Sequence, residues 1–319
     1  MSLQAGHHPV LLESVLRLLA PAAGETAVDL TAGRGGHASA LARAIGPGGR
    51  ILLCDLDAGN LAFAEARVRG ESPAAARTHH GSFASADRAV AAAGWQADCV
   101  LADLGFASTQ MDDPARGFSF QADAPLDMRL DASRGETAAD LLARLPEREL
   151  ADAIYRLGED PFARRIARVV ADRRGREPIR TTLQLAAAVV AAYGARARQS
   201  RMHPATRTFM ALRILVNDEL GALRGLLGAA ERAGRAAVAG APSWVRPGCR
   251  LAIISFHSLE DREVKHAMAS WEAEGLGERL TRKPVEPSDA EVAANRRARS
   301  AKLRGFRFGP SAAPAPAAG

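Results

Sequence analysis

Val28-Asp29-Leu30-Thr31-Ala32-Gly33-Arg34-Gly35-Gly36-His37 (28–37) joins a short apolar strand to a glycine-dense turn, and a helix follows over Ala38 to Ile45. A strand, a glycine loop and a helix in this order let backbone approach a ligand closely and aim free N–H groups at it. Twenty-two residues beyond Gly33, at the end of the apolar run Ile51-Leu52-Leu53-Cys54, stands Asp55, placed to accept from ribose hydroxyls. Together these features specify a nucleoside-containing cofactor. Gly33-x-Gly35-x-x-Ala38 satisfies the permissive dinucleotide pattern, so a nicotinamide-dinucleotide dehydrogenase is one reading. Two further acids point elsewhere: Asp29 inside the first strand, and Asp103 at the end of Cys99-Val100-Leu101-Ala102. Carboxylates at the strand ends suit a cofactor without pyrophosphate, with an amino-acid head and a positive sulfonium, which describes S-adenosylmethionine. Residue chemistry favours a methyltransferase and leaves both readings open.

A chain of 319 residues has room for a full α/β core and one extra module. Hydrophobic residues make up 47% and charged residues 24%, ordinary for a globular protein, while aromatics at 5% leave the core to aliphatic side chains. No apolar run reaches the ~20 residues of a membrane helix, so no membrane partner is expected. The start, with His7-His8-Pro9 and no basic-then-apolar leader, reads as cytoplasmic. Cys54, Cys99 and Cys249 lie in apolar strand-like runs, with neither a disulfide framework nor a metal spacing, and no metal is expected. The net charge of +6 is unevenly spread. Arg279 to Arg307 holds nine Lys/Arg against three acids, and Phe162 to Arg180 holds seven Arg against two acids. Arg196, Arg198, Arg201 and Arg207 follow with no acid between them. Such clusters are the electrostatic footprint of a phosphate-backbone partner.

Up to about residue 103 the chain alternates strand and helix, which predicts a parallel sheet covered on both faces. Gly33, Asp55, Phe83 and Asp103 each fall just past a strand end, where ligands bind in such sheets. Gly105 to Asp131 is loop-like and long enough to read as a functional lid. Helical patterns follow at Ala138–Leu145, Glu147–Leu157, Phe162–Arg173 and Leu183–Tyr193, then one long helix from Ala205 to about Ala233. A strand returns at Leu251–Ser255, and the Pro/Ala tail is expected to be disordered. The predicted division is 1–131 and 209–309 as two parts of one α/β core, 132–208 as a helical insertion for RNA recognition, and 310–319 as the tail.

Several long stretches resemble the bacterial family of small-subunit ribosomal RNA (cytosine-N4)-methyltransferases. They are HHPVLLESVL (7–16), DLTAGRGGHASAL (29–41), DLGFASTQMDDPARGFSF (103–120), APLDMRLD (124–131) and GEDPFARRIAR (158–168). HPATRTFMALRILVNDEL (203–220), LAIISFHSLEDREVK (251–265) and RARSAKLR (297–304) continue the match over nearly the whole chain. The resemblance decides for the methyltransferase. It implies a Rossmann-like S-adenosylmethionine-dependent methyltransferase sheet with an inserted all-helical domain. It also implies a cytidine in the decoding region of small-subunit ribosomal RNA as acceptor, in free RNA or in the assembled subunit.

By that similarity Gly35, Gly36 and His37 contact the cofactor, Asp55 its ribose and Phe83 its adenine, and Asp103 and Gln110 complete the pocket. The usual amino-methyltransferase tetrad of Asn/Asp-Pro-Pro-aromatic is absent, and Asp103-Leu104-Gly105-Phe106 takes its place. The N4 lone pair of cytosine is conjugated into the ring, so an acceptor for its hydrogen is needed, and Asp103 is the candidate. His203, Arg207, Ser255, His257 and Arg299 are candidates for the RNA path; Phe118 and Phe120 either stack on a base or staple the lid. Ala32, Ala107, Thr109 and Arg296 depart from the family pattern, and none of them is a candidate site residue. A non-catalytic RNA-binding assembly factor is the remaining alternative, against which the intact glycine loop and acids argue.

Overall fold

The computed structural model describes residues 9–105, 110–111 and 113–309. The expected tail, the His7-His8 start, Ala107 and Thr109 lie outside them. The chain divides into two compact units, Met1–Gly105 with Leu220–Gly319, and Phe106–Glu219.

The first unit is built on strands β1 (Thr26–Asp29), β2 (Arg50–Asp55), β3 (Ala75–His80), β4 (Ala97–Asp103), β5 (Val245–Ser255), β6 (Gly277–Arg279) and β7 (Lys302–Phe308). They are ordered β3-β2-β1-β4-β5-β7-β6. The first five are mutually parallel, and β7 runs antiparallel to both β5 and β6. The order reverses between β1 and β4, the switch point at which open α/β sheets hold ligands. Period-2 alternation covers both faces of this sheet. Ala27, Ile51, Leu53 and Leu101 pack with α1 (Leu12–Leu19), α2 (Gly36–Ile45) and α3 (Ala58–Glu71). Val28, Leu52, Val100 and Ile253 pack on the other face, with α4 (Ala86–Ala92) and the helices Glu219–Val238 and Ser258–Ala273.

Sequence reading missed β7, because three of its seven residues are Lys or Arg. One of them, Arg304, is nonetheless buried, with Nε 2.7 Å from Asp261 Oδ1. The expected single helix from Ala205 is two, Ala205–Asn217 and Glu219–Val238, broken where Asp218 takes a left-handed φ of 47°. Apolar spacing carries through that break and hides it.

The second unit contains the helices Ala138–Arg144, Glu147–Gly158, Ala163–Arg174, Thr182–Tyr193 and Ala205–Asn217. Thr137 and Thr181 start two of them with capping boxes. The unit is larger than the expected 132–208 at both ends. The segment read as a lid is stitched to it: Leu126 N–H donates to the Arg180 carbonyl and Thr182 N–H to the Ala124 carbonyl, both at 2.9 Å. Ala205–Asn217 belongs here too, since a Cβ on Gly158 would lie 2.6 Å from the Arg207 carbonyl oxygen. Phe118 is buried, and Phe120 stacks on His203 at 4.6 Å and meets Phe209 edge-on at 4.9 Å, so both rings act as staples. No helix among the described residues is long and apolar enough to cross a membrane.

Candidate active site

The loop after β1 is held by its own turn, in which Gly35 N–H donates to the Ala32 carbonyl at 2.7 Å, and by its neighbours. Leu30 N–H donates to the Leu101 carbonyl and Ala32 N–H to the Cys54 carbonyl, which extends the β1 ladders toward the glycines. Gly35 has φ 73°, and a Cβ there would lie 3.0 Å from Ala64 Cα on α3. A Cβ on Gly36 would lie 2.5 Å from Pro9 Cγ. These two glycines therefore seat α2 against α3 and against the segment before α1. His37, in the first turn of α2, is buried with Nε2 2.9 Å from the Val10 carbonyl oxygen.

Three carboxylates surround this turn. Asp55 receives Gly33 N–H on Oδ2 at 2.7 Å and Asp57 N–H on Oδ1 at 2.8 Å. Burial nevertheless pushes its carboxyl above the usual range. Asp29 accepts Thr31 N–H at 3.1 Å; burial, with the Asp55 charge adding, pushes it up to about 7. Asp103 donates its own N–H to Thr31 Oγ1 at 2.7 Å. Burial, then the charges of Asp29 and Glu260, hold its carboxyl well above the usual carboxylate range. The Asp103 side chain keeps 24% exposure and approaches His37 Nδ1 at 3.6 Å through Oδ2. Its Oδ1 is out of solvent contact and takes no hydrogen bond among the described residues. Neither Lys nor Arg pairs with Asp29, Asp55 or Asp103 among the described residues. Clustered, desolvated and uncompensated carboxylates favour a cationic ligand and disfavour a pyrophosphate.

The structure thus brings together Gly35, Gly36, His37, Asp55 and Asp103 at the switch point. Phe83 lies at the end of β3, half-buried against the core beside it. Gln110 is buried and belongs to the helical unit. His203 and Arg207 are in that unit also; His203 Nδ1 accepts Ala205 N–H at 3.2 Å, and Arg207 donates to the Glu159 carbonyl at 2.6 Å. Ser255 is buried with its hydroxyl on the Lys302 carbonyl. His257 caps the helix Ser258–Ala273 through Nδ1, with Glu260 returning the bond to the backbone. Sequence reading missed this capping box and the acidic influence of Glu260 on Asp103; the spacing His257-x-x-Glu260 is the signal that could have found the box. Thr31 was missed as well; only its place in the loop marked it.

A profile of the MraW methylase family matches residues 4–308. The chain belongs to that family. The ribosomal RNA small subunit methyltransferase H of Sorangium cellulosum is 47% identical over 302 residues, covering 94% of this chain and 90% of the relative. The protein of the same name from Acidobacterium capsulatum is 44% identical over 304 residues, covering 93% and 97%. Membership in a methylase family removes the dehydrogenase reading that the glycine loop alone left open.

Basic residues in this member divide into engaged and free groups. Arg304 and Lys302 face Asp261, Arg307 faces Glu278 and Arg279 faces Glu272, so the C-terminal excess is smaller than its sequence count. Arg299 is exposed in the short turn Arg296–Ser300. In the helical unit, Arg174 donates to the Leu142 and Leu145 carbonyls and Arg168 faces Glu147. Arg164, Arg165, Arg196, Arg198 and Arg201 are exposed and have no carboxylate partner among the described residues.

Proposed function

We propose that this family member transfers a methyl group from S-adenosylmethionine to the exocyclic N4 of a cytidine in the decoding region of small-subunit ribosomal RNA. The observation that carries the reading is the set of Asp29, Asp55 and Asp103 around the glycine loop with no Lys or Arg among the described residues to balance them. A cofactor whose sulfonium and ammonium are positive fits that donor set, and the orphaned Asp103 Oδ1 offers it, or the target amine, an acceptor. The names of the relatives support ribosomal RNA as the partner class. The cytidine and its position follow from the resemblance in sequence.

S-adenosylmethionine supplies an electrophilic methyl group on sulfur. Gly35 and Gly36 seat the loop against α3 and Pro9, Asp55 would accept from the ribose hydroxyls and Phe83 would cover the adenine. Asp103 accepts a hydrogen from N4, which draws the nitrogen lone pair out of conjugation. The target base has to leave its stack to reach the crevice, as is usual for chemistry on a nucleobase. The arginines of the helical unit that have no carboxylate partner among the described residues, with Arg299, hold phosphates.

Incubation of the protein with labelled donor and small-subunit ribosomal RNA, followed by nucleoside analysis, tests this. The expected product is N4-methylcytidine, and Asp103→Asn lowers kcat by ~10²–10⁴ with donor affinity kept within a few fold. Asp103→Asn that loses donor binding alone, at full kcat, assigns the carboxylate to the cofactor and overturns its catalytic role.

A further inference from the structure

The pair of buried His37 and half-buried Asp103 carries an inference beyond donor binding, and it rests on the reading of Asp103 as acceptor for the target amine. We propose that His37 is the proton partner of Asp103. Its Nε2 is 2.9 Å from the Val10 carbonyl oxygen, which can only accept, so the proton on the neutral ring is held at Nε2. Nδ1 then presents its lone pair to Asp103 Oδ2, 3.6 Å away. The tautomer is set by a backbone carbonyl, an arrangement that leaves the lone pair on Nδ1. Pro9, wedged where Gly36 has no Cβ, fixes the segment that carries that carbonyl.

The proton balance of amine methylation gives the pair its role. The nitrogen lone pair forms the new N–C bond, the C–S bond breaks with its electrons going to sulfur, and the nitrogen then has one proton to lose. Asp103, ionised at the outset, takes that proton, and the carboxyl then passes the same proton to His37 Nδ1, which Oδ2 approaches. The pair ends as imidazolium and carboxylate, and releases the extra proton to water between turnovers. Asp29 on β1 and Glu260 on the helix Ser258–Ala273 are the other charged groups felt at Asp103, and both are acidic. Each favours proton uptake by the pair and holds a positive imidazole in place. His37 is thus a positioning residue that acts through Asp103, a role different from the cofactor contact implied by the resemblance.

The test uses the full chain with isotope-labelled histidine, read by nuclear magnetic resonance without donor or RNA, so it reports whether or not the proposed reaction is correct. His37→Gln assigns the signal. The expected result is an Nε2–H ring when neutral, with a protonation midpoint that falls by about one pH unit or more in Asp103→Asn. An Nδ1–H tautomer, or a midpoint unmoved by Asp103→Asn, overturns the proposal. In turnover, His37→Gln keeps a donor for the Val10 carbonyl and cannot take the proton. We expect kcat to fall at least ~10-fold with donor KM held, and the acid limb of the kcat profile to move to higher pH as Asp103 loses its cationic partner. A wild-type profile in His37→Gln contradicts it.

Discussion

At the scale of single residues, the glycine loop is surrounded by carboxylates that the fold desolvates without neutralising. Asp29 is one such case: fully buried on β1, accepting one backbone N–H, and pushed up to about 7 from an ordinary value of 3.8. A raised carboxyl binds its proton more tightly folded than unfolded. Its contribution to stability is complete below pH 3.8 and is lost as the pH rises to about 7. Asp29→Asn keeps an acceptor for Thr31 N–H and removes the charge. Relative to wild type it is expected to gain stability progressively across that window, by about 4 kcal/mol at its upper end. Urea midpoints measured at both ends read this directly; an unchanged difference between the two proteins contradicts the burial argument.

At the scale of elements, the site is assembled by close approaches that only glycine allows. Gly36→Ala would press on Pro9 and displace the Val10 carbonyl from His37. The expected cost is ~1–3 kcal/mol in chemical denaturation, with donor affinity weakened in parallel. Wild-type stability in Gly36→Ala would show that Pro9 yields freely. Much of this level was legible in the sequence. Glycine spacing, Asp55 and the apolar runs located β1, α2, β2 and β4, because strands buried on both faces read as short continuous apolar runs. Other elements were hidden for identifiable reasons. Lys302, Arg304 and Arg307 disguised β7 as a basic segment, although each pairs with an acid distant in sequence. Asp218 broke a helix without interrupting its apolar spacing, and Asn217 was free to donate to the Met128 carbonyl across the helical unit. The Gly105–Asp131 stretch looked like a lid because, among its described residues, Ala124 and Leu126 bond to partners near residue 180 and Met128 and Leu130 to Asn217, which no local pattern encodes.

At the scale of the whole molecule, ion pairing rather than the count of basic residues picks out the surface proposed for RNA. Arg165, Arg196 and Arg198 lie in the helical unit with no carboxylate partner among the described residues, and Arg165 borders Gly194 while Arg196 lies over the Phe162 ring. Reversing all three to Glu is expected to weaken RNA binding by at least ~10-fold and to flatten its salt dependence, with donor affinity unchanged. The same reversal at Lys302 and Arg307, which already face acids, is expected to act through stability instead. An unchanged salt slope in the triple variant would move the RNA surface elsewhere. The central claim, methylation of one cytidine amine by the carboxylate-lined crevice, is tested most directly by mapping modified cytidines in small-subunit ribosomal RNA from cells lacking this protein. We expect one N4-methyl mark to vanish, to return with the wild-type chain and to stay absent with Asp103→Asn. An unaltered map, or a mark restored in full by Asp103→Asn, would contradict it.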